Sequence, residues 1–336
     1  MAAGVSKAAV SKVLHNSSTS VRVGAARALQ IRQLAEEMGY VPNQTARTLK
    51  SNRSHTIGIY FEDLAGIASG PLYTMHLLDG VCQEVFRRHY RVALLAELDE
   101  DGTRHALRDG RLDGVIWCRL VRDERTLRVL HDCPIPIVTL TQPDAELSGP
   151  NLVSVSCDNA GGIDGAVDHL WGLGHRRILF LHESREADAS DCVDRLEAFR
   201  STMSARGIQI GGGDVKSWSW SLDEFPAWWQ TVPPHTAVMA WSERCAGQLL
   251  IQCRRNKVKV PAELSVVGFD STQYAEQTRP RLTCVRQPIT EMASLAARSV
   301  ISLIEGSEPS SHSFILPCPL DIRRSTARSH RRESNP

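Results

Sequence analysis

The chain has 336 residues, 42% of them hydrophobic and 23% charged, enough for two or three domains with a sizeable core and too ordinary for a disordered or fibrous polymer. No apolar run is long enough to span a bilayer and the N-terminus has no apolar signal core, which argues against membrane and secreted classes. The formal net charge of +1 conceals an asymmetry: residues 1–55 hold eight Lys/Arg against two acids, residues 56–322 hold 26 against 35, and the segment from 323 holds five Arg and one acid. A basic head on an acidic body suits a nucleic-acid-binding module joined to a domain with another task, although a solvated surface gives the same charges. Nine cysteines are scattered without CxxC spacing. They predict reduced thiols of a cytoplasmic protein, mostly core residues, rather than a disulfide framework or zinc site.

In chain order, "AGVSKAAVSKVLHN" reads as a turn at Gly4-Val5 followed by a helix over Ser6–His15. Ser6 caps it through its hydroxyl. Val10, Val13 and Leu14 give it one apolar face, and Lys7, Ala8, Ser11 and Lys12 share another that can meet DNA. A second helix is expected from Ala25 to Met38, with Ala28, Ile31, Ala35 and Met38 as its buried stripe and Gly39 ending it. Beyond it the period changes. Strands are predicted at Thr56–Phe61, Arg91–Ala96, Leu112–Cys118, Ile135–Leu140, Leu152–Ser156, Arg177–Leu181, Thr236–Ala240 and Leu264–Phe269. Helices are predicted at Tyr73–Arg88, Gly161–Leu173, Ser190–Arg206, Glu243–Arg255 and Thr290–Glu305. Strands alternating with helices imply parallel sheets, and there are enough of them for two α/β lobes with a ligand cleft between.

Enzyme motifs fail on chemistry, so no catalytic residue and no cofactor is expected. Gly211-Gly212-Gly213 lacks the Lys-Ser/Thr of a phosphate loop, no G-x-G-x-x-G follows the first strand, and there is no G-x-S-x-G elbow. His169 and His175 do not share a helix face well, so no metal site is expected.

Taken together, "AGVSKAAVSKVLHN", "EEMGYVPNQTARTLKSNRSHTIGI", "VDHLWGLGHRRILFL", "DRLEAF", "PAELSVVGFDS", "LTCVRQPITEMASLA" and "IRRSTA" resemble the lactose-repressor/galactose-repressor (LacI/GalR) family, in order and over nearly the whole chain. The resemblance implies a small all-α DNA-binding head, a helix-turn-helix plus hinge helix, joined to a two-lobed periplasmic-binding-protein-like α/β domain. It implies a helix before AGVS, where only three residues stand. The head is therefore read as N-terminally truncated, because the true start lies upstream or because the segment is lost. The implied domains are the head at 1–42, a hinge and linker at 43–55, an effector and dimerisation domain at 56–324, and a basic flexible tail at 325–336. One lobe is read as 56–156 with 286–311, the other as 157–285 with 312–324.

The family's pattern gives roles by position. Lys7, Ala8 and Lys12 would reach base edges in the major groove, Ser6 and Ser11 would contact phosphates or cap, and Asn43, Ala46 and Leu49 would form a hinge helix that wedges into the minor groove. Asp270 in "VVGFDS" would accept hydrogen bonds from an effector, with Ser271 replacing a second Asp; capping a helix is the plainer role. Arg195 in "DRLEAF" would grip the effector, or form a surface ion pair. Tyr73 would wall the pocket. Asp158, next to Asn159, would border the cleft or merely cap a helix. Ser242 stands where the family has an asparagine. Trp218 and Trp220 would offer a stacking face to a sugar, or pack in the core. The function implied is a cytoplasmic transcriptional regulator, a repressor, bound as a homodimer to near-palindromic double-stranded DNA, with no membrane partner. A small molecule, expected to be a carbohydrate, would control it. The rival is a truncated effector-binding protein or a cytoplasmic sugar-binding receptor that does not bind an operator.

Overall fold

The computed structural model describes residues 4–15, 21–40, 53–61, 72–96, 100–118, 124–140, 149–218, 225–232 and 234–329. Two compact units emerge, Met1–His55 and Thr56–Pro336.

In the first unit, α1 (Lys7–His15) begins after Gly4 at φ 60°. The Ser6 hydroxyl accepts the Ala9 N–H at 3.2 Å, satisfying one of the donors that a helix start leaves open. Helix α2 (Ala25–Glu37) starts at Gly24, which has no side chain with which to cap it. It ends in a Schellman arrangement: Gly39 takes φ 58°, its N–H donates to the Glu36 carbonyl, and the Tyr40 N–H donates to that of Ala35. The expected stripe on α2 holds at Ile31 alone. Ala28 and Ala35 are half-buried, and Met38, the capping residue, is 68% exposed because the helix has ended there. Ala9 of α1 and Ile31 are the buried apolar side chains described in this unit.

The second unit opens with β1 (Thr56–Phe61), α3 (Leu72–Arg87), β2 (Arg91–Ala96), α4 (Glu100–Ala106), β3 (Gly114–Trp117), α5 (Glu124–His131), β4 (Ile137–Thr139) and β5 (Leu152–Cys157). It continues with α6 (Asn159–Gly172), β6 (Ile178–Glu183), α7 (Ser190–Ser204), β7 (Val215–Trp218), α8 (Phe225–Thr231), β8 (Ala237–Ala240), α9 (Glu243–Arg255), β9 (Ser265–Asp270), α10 (Gln273–Gln277) and β10 (Thr283–Arg286). Helix α11 (Ile289–Ile304) and strands β11 (Ser313–Leu316) and β12 (Leu320–Asp321) complete it.

Among the described residues the strands form two sheets, ordered β11-β5-β4-β3-β1-β2 and β12-β10-β9-β8-β6-β7. Every pairing is parallel except β10 with β12. Strand β1 shows why such strands read as near-continuous apolar runs. Ile57 and Ile59 enter one buried cluster while Tyr60 enters another and stacks on Trp117 at 4.0 Å, so both sheet faces are covered.

Two expected boundaries need correction. Residues 313–316 were assigned to the second lobe, but β11 pairs with β5 and belongs to the first sheet. The chain crosses between the sheets three times, after β5, after β10 and after β11. The flexible tail was expected from 325, yet Ser325 is buried and tied on both sides. Its hydroxyl donates to the Val266 carbonyl at 2.6 Å and accepts the Thr283 N–H at 2.8 Å. His175, in the turn before β6, bonds to the Ala327 carbonyl, and the Ser329 N–H donates to Leu173. These bonds hold the segment against the second sheet up to Ser329.

Helices α3 and α11 meet at their smallest residues. A Cβ on Gly80 would lie 2.4 Å from the Thr290 carbonyl oxygen and 2.8 Å from the Ala293 Cβ. Gly80→Ala therefore forces the helices apart and is expected to cost about 1–3 kcal/mol in urea unfolding. A loss within ~0.5 kcal/mol, the range of a neutral surface change, would show that the contact is slack.

Candidate functional site

The expected DNA-contacting residues of the head lie on α1 and at its cap. Ser6 and Lys7 are exposed at the beginning of α1, and Ala8, Ser11 and Lys12 are half-buried along it. No acid stands in its first turn, so the helix start and the Lys7 charge give α1 a positive N-terminal end of the kind that favours a phosphate. The hinge residues Asn43, Ala46 and Leu49 lie outside the described residues.

In the second unit, residues from both sheets converge on one cleft. Its lining comes from Tyr73 of α3, Ser156 and Cys157 of β5, Asn159 at the start of α6, Asp191, Asp194 and Arg195 of α7, and Gln287 just after β10. Ser156 and Cys157 end one strand and Gln287 follows another, so the lining gathers at the crossings between the sheets. Ligands of open parallel sheets bind beyond the carboxyl ends of the strands.

Arg195 organises this cleft. It is 2% exposed, and every arm of its fork is used. Nε donates to Asn159 Oδ1 at 2.9 Å, one terminal nitrogen donates to the Trp241 carbonyl at 2.6 Å, and the other donates to Gln287 Oε1 at 3.3 Å. The guanidinium lies 3.6 Å over the Phe269 ring, with the carboxylates of Asp191 and Asp270 at 3.7 and 3.6 Å. Burial disfavours its charge, but these two carboxylates outweigh that and strengthen its hold on the proton. Asp270 is pushed well above the usual carboxylate range by burial, against the pull of Arg195. Its backbone sits at φ 104°, followed by Ser271 at 54°, which turns the chain sharply at the end of β9. Burial likewise raises the Tyr73 hydroxyl.

Among the described residues, two polar atoms of this lining are buried without a hydrogen-bond partner, Ser156 Oγ and Asp191 Oδ1. Buried polar groups are nearly always satisfied, so two orphans lining one cleft are available to pair with an incoming polar group. Asp191 and Arg195 are four apart on α7, which puts both on one helix face, a signal legible in "DCVDRLEAF". Neither Asp191 nor Ser156 was singled out from the sequence, because a polar residue at a helix start or strand end looks like a cap.

The remaining expected residues separate. Asp158 caps α6, accepting the Gly161 N–H at 2.8 Å, while its neighbour Asn159 lines the cleft. Ser242 is the N-cap of α9, accepting the Cys245 N–H at 3.1 Å, and is not part of the cleft lining. Trp218 is buried and stacks on Trp228 at 5.1 Å, the packing role rather than the stacking face. Trp220 lies outside the described residues. Among the described residues no helix is long and apolar enough to cross a membrane.

Residues 1–43 match the model of bacterial regulatory proteins of the lacI family, and residues 167–326 match that of the periplasmic binding protein-like domain. The transcriptional regulator CelR of Thermobifida fusca is 28% identical over 337 residues, covering 96% of this chain and 95% of that protein. GalR of Escherichia coli is 26% identical, covering 90% and 87%. Of solved structures, a CelR–cellobiose complex superposes with a TM-score of 0.72 at 25% identity, covering 96% of this chain and 97% of that one. The lac repressor dimer bound to operator and an anti-inducer superposes with a TM-score of 0.81 at 21% identity, covering 97% and 96%. A basic head that matches the lacI model, followed by two parallel sheets that share a polar cleft, makes this chain a member of the LacI/GalR family of DNA-binding transcriptional regulators.

Proposed function

We propose that this protein is a cytoplasmic repressor whose operator affinity is set by a neutral, hydroxyl-rich sugar bound in the cleft around Arg195. The orphaned Ser156 Oγ and Asp191 Oδ1 carry this reading. Both accept hydrogen bonds, and sugar hydroxyls donate them. The charge of the cleft narrows the ligand class. Asp191 and Asp194 of the lining outnumber Arg195, whose own donors are taken by Asn159, Trp241 and Gln287. A phosphorylated or carboxylated ligand would meet net repulsion. Tyr73 is the aromatic group of the described lining, which suits the apolar C–H face of one sugar ring better than a purine stacked on both sides. CelR, a relative, has been solved with cellobiose.

On the DNA side, Lys7, Ala8 and Lys12 read base edges, Ser6 and Ser11 contact phosphates, and the hinge role of Asn43, Ala46 and Leu49 rests on the sequence pattern alone. A homodimer places two heads on a near-palindromic site. Sugar binding shifts the equilibrium between lobe arrangements, and the coupling to DNA is reciprocal.

Fluorescence anisotropy on a duplex selected by the protein from a randomised library tests this, with cellobiose, ribose, galactose, glucose 6-phosphate and guanine as candidate effectors. A neutral sugar should change DNA affinity by roughly 5–150-fold. A response confined to the phosphorylated sugar or to guanine would overturn the ligand class, and salt-independent binding without duplex preference would overturn the operator reading.

A further inference from the structure

We propose that Cys157 and Cys318 form an oxidisable thiol pair which, as a disulfide, ties together two of the three crossings between the sheets. Cys157 is the last residue of β5, and Cys318 lies in the crossing from β11 to β12. The β5–β11 register pairs Cys157 with Leu316, two residues before Cys318. The Leu316 carbonyl then gathers both segments: it accepts the Asp158 N–H at 2.7 Å and the Cys318 thiol at 3.9 Å. The two thiols are near enough to perturb each other's ionisation. Cys318 is backed by α6, where a Cβ on Gly162 would come within 3.0 Å of its own Cβ. Cys157 donates to Asn159 Oδ1 at 3.3 Å and lines the cleft, which gives a small oxidant its route in.

The surroundings divide the labour between the two sulfurs. The neighbouring Cys157 thiol holds the Cys318 thiol below its usual value; burial opposes this and the nearby Arg195 charge assists it. The Cys318 thiol, with burial, in turn raises Cys157. With hydrogen peroxide as oxidant, the Cys318 thiolate attacks one peroxide oxygen. The O–O bond breaks, leaving a sulfenic acid and a hydroxide that takes up the thiol's released proton as water. The Cys157 sulfur then attacks the sulfenic sulfur, the S–S bond forms, and the hydroxyl leaves with the Cys157 proton as a second water. Two thiols lose two electrons and one peroxide becomes two waters. The linked crossings can no longer rotate independently, so oxidation fixes the relation of the lobes whatever ligand the cleft takes.

The test is a non-reducing peptide map of the intact, purified chain after brief exposure to a small excess of hydrogen peroxide and alkylation of the remaining thiols. The expected result is a Cys157–Cys318 cross-linked peptide as the dominant new species, lighter by two hydrogens than the separate peptides and abolished by dithiothreitol. In Cys157→Ser, Cys318 should instead be trapped as a sulfenic acid by dimedone. Alkylation of both residues in the treated wild type, links that join them to other cysteines, or sulfinic acid at either without a link would overturn the proposal. Because the decisive map uses the wild-type chain, a variant that fails to fold does not blunt it.

Discussion

Arg195→Met is expected to cost about 3–5 kcal/mol of stability, the range for removing one partner of a buried ion pair. The change leaves Asp191 and Asp270 facing each other without their shared cation, and it strips donors from Asn159, Gln287 and the Trp241 carbonyl. Arg195→Lys should not restore the loss, because an ammonium cannot reach three acceptors in the plane of a guanidinium while lying on the Phe269 ring. The deficit should also depend on pH. Asp270 already has its folded value raised by burial. A carboxyl raised in the folded state gives its full contribution below its unfolded value, and that contribution is lost as pH rises through the folded value. Removing the cation raises Asp270 further, so the variant should recover relative to wild type on moving from pH 8 toward pH 5. Urea unfolding across that range reads both effects. A loss below ~1 kcal/mol at pH 8, the worth of an exposed pair, would mean that the cluster is solvated and not the anchor described.

Asp191→Ala should show the opposite balance between fold and ligand. Its Oδ1 has no hydrogen-bond partner among the described residues, while Oδ2 stands 3.7 Å from Arg195. Arg195 keeps Asp270, so stability should change by no more than about 1 kcal/mol, and relief of the orphaned acceptor can push it upward. Sugar affinity should fall by roughly 10–150-fold, since a hydrogen bond to a charged group contributes about 1.5–3 kcal/mol. Titration calorimetry with whichever neutral sugar shifts DNA binding makes the comparison. Unchanged affinity in a folded variant would remove Asp191 from the site and with it half of the support for the ligand class.

The strands rich in Ile, Val and Leu were legible: β1 and the edge strand β2 fall where the pattern put them, and the central β3, β4 and β9 within a residue or two. The short edge strands β7, β11 and β12 were not. "VKSW" and "SFIL" carry no decisive alternation, and their pairing is set by partners far away in the chain. The placement of residues 313–316 failed for that reason. At the cleft, Arg195, Tyr73 and Asp270 were named from the family's pattern, and the structure brings Arg195 into contact with Asp270 and Tyr73 into the same lining. Ser242 and Asp158 occupy helix-start positions where a capping bond and a ligand contact require the same residue types, so residue identity alone could not separate the two. Asp191 announced itself only through its i,i+4 spacing from Arg195, a pattern shared with ordinary exposed ion pairs.

The three crossings have a consequence for how the protein is made. The first sheet is not closed by the residues translated first: β5 waits for β11, with Ser154 opposite Ser313, and α3 waits for the Thr290 turn of α11 to cover Gly80. At bacterial elongation rates, the stretch between these partners takes on the order of ten to thirty seconds to synthesise. Throughout that interval the nascent chain carries an open strand edge and an uncovered helix face, the features that invite misassociation and chaperone capture. Neither lobe can be released as a finished domain ahead of the other. The first needs residues 313–316 and the second residues 320 and 321, so a chain that stops before Leu316 leaves both sheets unfinished.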